Sequence, residues 1–167
     1  MKAVVVYESH WGNTEAIARA VAEGIGPGTA VLPTDQAEGE ALENIDLLVV
    51  GAPVMMFGLP SDKAEEAVVN SAAFAPSPPD VSHPSLRAWL EGLPRGHAEA
   101  AAFETRVRWA PGGATRAIER GLARAGYRTN ANSGKFIVSG RYGPLRSGEL
   151  ERARAWGTDL TRRVNES

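Results

Sequence analysis

The stretch YESHWGNTEAIARA, Tyr7–Ala20, joins a β-branched run to an amphipathic segment. The run before it, KAVVVY (Lys2–Tyr7), has the length and composition of a short buried strand. Apolar residues at every fourth position after it predict a helix over Thr14–Ile25, capped by Asn13 or Thr14. The polar segment SHWGNT therefore lies where a strand ends and a helix begins.

Strand and helix patterns alternate along the rest of the chain. Further strands are predicted at Thr29–Pro33, Ile45–Val54, Ala98–Val107 and Lys135–Ser139, the last beginning as early as Arg128. Further helices are predicted after an Asp62–Glu65 capping pair, at Pro84–Pro94, at Ala114–Ala125 and from a Ser147 cap onward. This alternation predicts one α/β domain, residues 1–167, with a doubly wound parallel sheet and helices on both faces.

Composition and charge exclude several classes of protein. No apolar run approaches the roughly 20 residues of a membrane span, and no signal peptide precedes the first strand, so we expect a cytoplasmic protein. The chain has no cysteine, which excludes a disulfide, a thiolate nucleophile and an Fe–S cluster. Its net charge of −2 divides into −9 over residues 1–80 and +7 over residues 81–167. Because the basic residues form no dense tract, we expect no nucleic-acid partner.

Three loops follow the carboxyl ends of strands, where open parallel sheets bind ligands: Glu8–Thr14, Ala52–Pro60 and Thr105–Gly113. The first loop leads into a helix N-terminus, whose unpaired amides and positive dipole favour an anion. It contains hydroxyl and amide donors but no lysine or arginine, which suits a single terminal phosphate. The motifs of P-loop ATPases and of conventional dinucleotide dehydrogenases are both absent. A capped helix without a ligand is the alternative.

The segment YESHWGNTEAIARAVAEGI resembles the phosphate loop and first helix of the flavodoxin family, whose usual loop is T/S-x-T-G-N-T. Ser9, Gly12, Asn13 and Thr14 match that pattern, whereas Trp11 replaces a threonine or serine hydroxyl. DLLVVGAPVMMFGLP and AAFETRVRWAPGGA resemble the two strands and loops that lie along the flavin faces, and PSLRAWLEGLP resembles the helix between them. The resemblance covers nearly the whole chain and is strongest to single-domain proteins of actinobacterial type. It implies a flavodoxin-like five-stranded parallel sheet in the order 2-1-3-4-5.

The resemblance also implies FMN, held without a covalent bond and carrying the chemistry itself, so that no catalytic side chain is expected. Candidates for the ring faces are Met55, Met56, Phe57 and Trp109, with simple packing as the alternative. The residues predicted to bind the cofactor are Ser9, His10, Trp11, Gly12, Asn13, Thr14, Ala52, Pro53, Val54, Met55, Met56, Phe57, Gly58, Thr105, Arg106, Val107, Arg108, Trp109 and Gly112. His10 is expected either to donate to phosphate or substrate or to lie on the surface.

The histidines His10, His83 and His97 lack metal-ligand spacing, so no metal site is expected. Arg106 and Arg108 are either a solvated edge or cations that stabilise negatively charged reduced flavin and raise its potential. The second interpretation favours reduction of a quinone-type acceptor, with NAD(P)H as a candidate donor.

Other functions stay open at this level. An electron shuttle to a redox partner protein fits the same residues as a quinone reductase. A phospho-receiver is disfavoured because no acceptor aspartate follows the third strand, whereas a non-redox module that lost its flavin is consistent with Trp11. The segment Phe74–Pro84 contains four prolines and is predicted to be a stiff loop, either a lid beside a ligand or a surface excursion.

Overall fold

The computed structural model describes residues 1–129 and 132–166. Within these residues the strands are β1 Ala3–Tyr7, β2 Ala30–Pro33, β3 Leu47–Pro53, β4 Glu99–Val107, β5 Arg128–Thr129 and β6 Gly134–Val138. The α-helices are α1 Asn13–Ile25, α2 Asp62–Asn70, α3 Leu86–Gly92, α4 Thr115–Arg124 and α5 Glu149–Glu166. None of the helices so described has both the length and the apolar character needed to cross a bilayer.

The sheet is parallel, and β1 lies between β2 and β3, with β4 beyond β3. Both β5 and β6 pair with β4, at Glu99–Ala100 and at Phe103–Val107. The predicted order 2-1-3-4-5 is confirmed, but two short segments occupy the fifth position instead of one strand over Lys135–Ser139. The first segment, Arg128–Thr129, is polar and partly exposed, so it lacks the apolar pattern that marks the second.

The two faces of the sheet bury side chains of opposite parity. Val4 and Leu48 belong to the core shared with α3 and α4, whereas Val5 and Val49 belong to the core shared with α1 and α5. Because β1 and β3 are covered on both sides, their sequences are continuously apolar instead of alternating. The predicted placement of helices on both faces is therefore confirmed.

Helices α1 and α5 cross with their backbones in contact. A Cβ added to Gly157 would lie 2.2 Å from the Val21 carbonyl oxygen, and one added to Gly24 would lie 2.0 Å from the Arg154 carbonyl oxygen. The Thr158 hydroxyl also donates to the Gly24 carbonyl at 3.1 Å. The crossing fixes α1, and with it the loop that precedes α1, against the C-terminal helix.

Helix α2 begins with a different cap from the predicted one. The Ser61 hydroxyl oxygen accepts a hydrogen bond from the Ala64 amide at 3.3 Å, which is the usual N-cap contact. Asp62 already lies inside the first turn, so the predicted pairing of Asp62 with Glu65 does not cap the helix.

The start of α5 also differs from the prediction. Gly148, with φ of 87°, separates Ser147 from the first helical residue, so Ser147 is not the N-cap. Glu149 instead connects α5 to the sheet, because its Oε2 accepts from the Ile137 amide at 2.8 Å. Arg152 pairs with the same carboxylate at 2.7 Å.

Candidate functional site

A cavity of about 420 Å³ lies at the carboxyl ends of β1, β3 and β4, where the strand order reverses. Its volume is in the range of small-molecule sites. The predicted residues that line it are Ser9, His10, Trp11, Asn13, Thr14, Pro53, Val54, Met55, Met56, Thr105, Arg106, Val107 and Trp109. The structure thus brings residues from all three predicted loops to one cavity.

The other predicted residues do not line the cavity: Gly12, Ala52, Phe57, Gly58, Arg108 and Gly112. Five lining residues were missed: Ala64, Ala67, Ala110, Val138 and Arg141. Ligands bind at the carboxyl ends of parallel strands, a regularity that we call the strand-end rule. Applying this rule to β6 as well would have found Val138 and Arg141. Ala64 and Ala67 carry no recognisable signal, because a small apolar residue in α2 is indistinguishable from ordinary helix packing.

The first loop leads into α1 through a left-handed glycine. Gly12 is the N-cap, with φ of 88° and no side-chain capping bond, so the predicted caps are wrong. Its amide donates to the Ser9 hydroxyl oxygen at 3.0 Å. Within the described part of the chain, the amides of Asn13, Thr14 and Glu15 have no acceptor. Free backbone amides at a helix N-terminus favour the binding of an anion.

The side chains at the start of α1 bond to neighbouring loops instead of capping the helix. The side-chain amide nitrogen of Asn13, Nδ2, donates to the Tyr142 carbonyl at 3.1 Å. The Thr14 and Thr105 hydroxyl oxygens lie 2.8 Å apart and share a hydrogen bond, which joins the first loop to β4. The Trp11 ring meets the Tyr142 ring edge to face at 4.7 Å. The first loop is therefore held on two sides.

The proline-rich segment Phe74–Pro84 also contacts the first loop. The Trp11 indole N–H donates to the Ser77 carbonyl at 3.1 Å, and the Asp80 amide donates to the His10 carbonyl at 2.8 Å. None of residues 74–84, all of them described, lines the cavity. The segment therefore supports the first loop from outside and does not cover the cavity as a lid in this structure.

The second loop forms a two-residue turn. Met55 and Gly58 exchange backbone hydrogen bonds at 2.8 and 3.0 Å, and both central residues are left-handed, with φ of 45° at Met56 and 73° at Phe57. Left-handed backbone is uncommon for large side chains, and it occurs where surrounding structure enforces it. Met56 lines the cavity, whereas Phe57 is 70% exposed and does not line it.

The third loop is organised by Arg106. Its guanidinium donates to Glu104 Oε1 at 2.9 Å, to the Gly112 carbonyl at 2.9 Å and to the Ala110 carbonyl. The charge of Arg106 is thus paired with a buried carboxylate. Arg108 is exposed and lies outside the cavity lining. Of the two arginines expected to lie beside a bound flavin, Arg106 lines the cavity with its charge already paired, and Arg108 does not line it.

Glu104 also caps α4. Its side chain is completely buried, and Oε2 accepts from the Ala114 amide at 2.7 Å and from the Thr115 amide at 3.1 Å. Ala114, the N-cap residue, has no side chain that could accept these bonds. A carboxylate at this position also interacts favourably with the helix dipole. The sequence showed only an acidic residue within a strand, because its partners lie further along the chain.

The second and third loops are in direct contact through backbone. The Gly113 amide donates to the Phe57 carbonyl at 3.1 Å. Gly112 has φ of 77°, and a Cβ there would lie 1.8 Å from the same carbonyl oxygen. Trp109 stands at the cavity edge with 83% of its surface exposed.

Glu8 and His10 form a buried pair next to the cavity. Glu8 Oε1 lies 3.8 Å from His10 Nε2, and neither atom has a hydrogen-bond partner among the described residues. Burial raises the pKa of Glu8 to about 8 and lowers the pKa of His10 to about 4. His10 is 5% exposed, so the alternative that it is a surface histidine is wrong.

A parallel sheet in the order 2-1-3-4-5, with a cavity at the strand-order reversal, defines a doubly wound α/β protein of the flavodoxin-like class. The family model described as Flavodoxin matches residues 5–156. The chain belongs to the flavodoxin family, whose fold is that of FMN-binding electron-transfer proteins. No curated protein matches the chain.

Solved structures share the fold at low sequence identity. A flavodoxin from the domain Archaea is 19% identical, with 99% of each chain covered and a TM-score of 0.65. Oxidised Flavodoxin 1 from Bacillus cereus is 18% identical, with 97% of this chain and 98% of that chain covered and a TM-score of 0.66. A WrbA-like flavodoxin from Agrobacterium tumefaciens is 19% identical, with 99% and 98% covered and a TM-score of 0.62.

Proposed function

We propose that this protein binds FMN non-covalently in the cavity and transfers electrons through it. The acceptor is a redox partner protein or a small quinone-type molecule, and NAD(P)H is a candidate donor. The observation that carries the proposal is a single cavity with unbonded helix-start amides at the first loop and an exposed indole at its edge. Bound FMN supplies the redox chemistry, while the protein sets its affinity, its potential and access to it.

The phosphate end of the cavity fits FMN chemically. The amides of Asn13, Thr14 and Glu15 are donors, and the Ser9 hydroxyl retains its own proton after accepting from Gly12. None of the described residues that line the cavity is acidic. An anion therefore meets neutral donors and a positive helix end without a nearby carboxylate at the cavity surface.

The other end of the cavity suits a flat ring and an incoming acceptor. Trp109 and Met56 line the cavity and are 83% and 66% exposed. A ring held against the indole gains stacking in addition to the burial of apolar area. Because both side chains also face solvent, an acceptor approaching the cavity would contact an apolar rim.

Arg141 supplies the positive charge that the third loop does not. It lines the cavity, donates to the Ser71 hydroxyl at 3.0 Å and has no carboxylate partner among the described residues. Arg106, the other lining arginine, is neutralised by Glu104. An unneutralised cation favours the negatively charged reduced form of a nearby flavin, which supports two-electron chemistry with quinones.

The alternative function, a non-redox module with weakened flavin binding, has one observation in its favour. Trp11 replaces an expected hydroxyl, and its indole N–H is bonded to Ser77 instead of being available for phosphate. We expect Trp11→Thr to leave FMN affinity unchanged or to improve it, measured by quenching of flavin fluorescence. A large loss of affinity would show that the indole itself contributes to binding, through packing against Tyr142.

Purification separates the two functions. A yellow protein that releases FMN on denaturation supports flavin binding, whereas a colourless protein that does not quench added FMN supports the alternative. Oxidation of NADH or NADPH by the loaded protein in the presence of a quinone then identifies a reductase. Reduction without turnover on either nucleotide identifies a shuttle that needs another donor.

A further inference from the structure

Three side chains of metal-ligand type meet next to the cavity. Glu8 and His10 follow β1, and Glu65 reaches the same place from α2. One ligand atom from each of the three lies within 4.8 Å of the other two. The spacing of histidines along the chain could not reveal this group, because two of the three members are carboxylates and one comes from a distant element.

Two of these ligand atoms are buried and make no hydrogen bond to any described residue. The side chain of Glu8 is 0% exposed and that of His10 is 3% exposed, yet Glu8 Oε1 and His10 Nε2 make no hydrogen bond within the described structure. Buried polar atoms are nearly always satisfied, so these two atoms, which lie 3.8 Å apart, are available to bind a ligand placed between them.

We propose that Glu8, His10 and Glu65 bind a divalent transition-metal ion, with Zn²⁺ the best match. One imidazole nitrogen and two carboxylate oxygens form a ligand set that zinc accepts, and a tetrahedral zinc site keeps a fourth position for water. Two carboxylates balance the charge of the ion. The proposal departs from the expectation drawn from histidine spacing, and it does not depend on FMN binding.

The distance between Glu8 and His10 is close to the one that zinc requires, and the Glu65 carboxylate lies within 4.8 Å of both. Ligand atoms about 2.0–2.2 Å from a tetrahedral ion lie about 3.3–3.6 Å from each other. The separation of Glu8 Oε1 and His10 Nε2 is 3.8 Å, so these two atoms would have to move closer by a few tenths of an ångström to bind one ion. Glu65 lies on the first turns of α2 and is partly exposed, so its flexible side chain can move closer as well.

The surroundings hold Glu8 in a ligating orientation without neutralising it. Its second oxygen, Oε2, accepts from the Leu86 amide at 3.2 Å, which leaves Oε1 directed at the group. Arg87 is the nearby cation, but its guanidinium donates to the carbonyls of Leu59 and Pro60 and not to Glu8. A hydrogen-bonded second oxygen is typical of carboxylates that bind metals.

Zinc binding to the chelator-treated, FMN-free protein tests the proposal. We expect one Zn²⁺ per chain by calorimetric titration with zinc chloride, and at least tenfold weaker binding in His10→Gln and in Glu65→Gln. The matched controls are Glu66→Gln, the exposed neighbour on α2, and His97→Gln, an exposed histidine outside the group. Both controls should bind like the wild type.

Cobalt gives an independent readout. Co²⁺ in the wild-type site should show visible bands that change when the imidazole is removed in His10→Gln. Absence of saturable zinc binding in the wild type would overturn the proposal and would indicate a proton shared between Glu8 and Glu65 instead. Equal binding by wild type, His10→Gln and Glu65→Gln would also overturn it, by showing adventitious binding only. Glu65 is partly exposed, so its variant should fold even if a buried substitution does not.

Discussion

Glu104 stabilises the third loop and the start of α4 with one buried carboxylate. Glu104→Ala would leave the Arg106 guanidinium without its ion pair and the first amides of α4 without acceptors. We expect the free energy of unfolding to fall by about 3–5 kcal/mol, the usual effect of removing one partner of a buried pair. Urea denaturation measures the change. Glu91→Ala, an exposed substitution on α3, should stay within about 0.5 kcal/mol of the wild type.

Arg141 is expected to control the reduction potential of bound FMN. Arg141→Gln removes the unneutralised cation that lines the cavity, so the reduced flavin loses stabilisation and its potential should fall. A loss of about 1.4 kcal/mol corresponds to about 30 mV for a two-electron couple. Potentiometry on the FMN-loaded protein measures this shift. Arg108→Gln is the matched control, and an equal shift in both variants would contradict the special role of Arg141.

Gly112 lets the second and third loops approach each other. In Gly112→Ala the new Cβ would both strain a left-handed residue and collide with the Phe57 carbonyl. Gly28→Ala introduces only the strain, because Gly28 has φ of 85° and open space around it. Strain of this kind costs about 1–2 kcal/mol, so Gly112→Ala should be destabilised by more than that. Thermal unfolding compares the two variants, and equal losses would mean that the loop contact is unimportant.

At the level of elements, the crossing of α1 and α5 depends on backbone contact. Gly157→Ala should destabilise the protein although alanine favours helix by about 1 kcal/mol, because its Cβ would lie 2.2 Å from the Val21 carbonyl. Gly92→Ala, at the exposed end of α3, has nothing within 4 Å of its Cβ and should be neutral or stabilising. Urea denaturation of both variants tests this. A neutral Gly157→Ala would show that the helices can separate without loss.

The helices and strands were predictable because burial imposes a period on the sequence. The apolar runs of β1 and β3 and the four-residue spacing in α1 gave elements whose bounds agree with the structure to within two residues. Helix caps were less predictable. Several residues near a helix start can act as cap, and only backbone conformation chooses among them, as the left-handed Gly12 shows.

At the level of the whole molecule, the position of the site was predictable and its electrostatics were not. The strand-end rule predicted that the three loops meet at one place, without any knowledge of their contacts. The charge of Arg106 is paired because Glu104 lies beside it. The surroundings of the Glu8 carboxylate are formed by Glu65, Leu86 and His10. These partners become neighbours only when the sheet forms, so a local motif cannot reveal them.

The central claim is that the cavity binds FMN with its phosphate at the start of α1. Titration of the flavin-free protein with FMN and with riboflavin, followed by quenching of flavin fluorescence, tests it most directly. We predict one FMN per chain and riboflavin affinity at least about tenfold weaker, because riboflavin lacks the charged phosphate that the α1 amides would bind. Failure to bind FMN, or equal affinity for both flavins, would contradict this account.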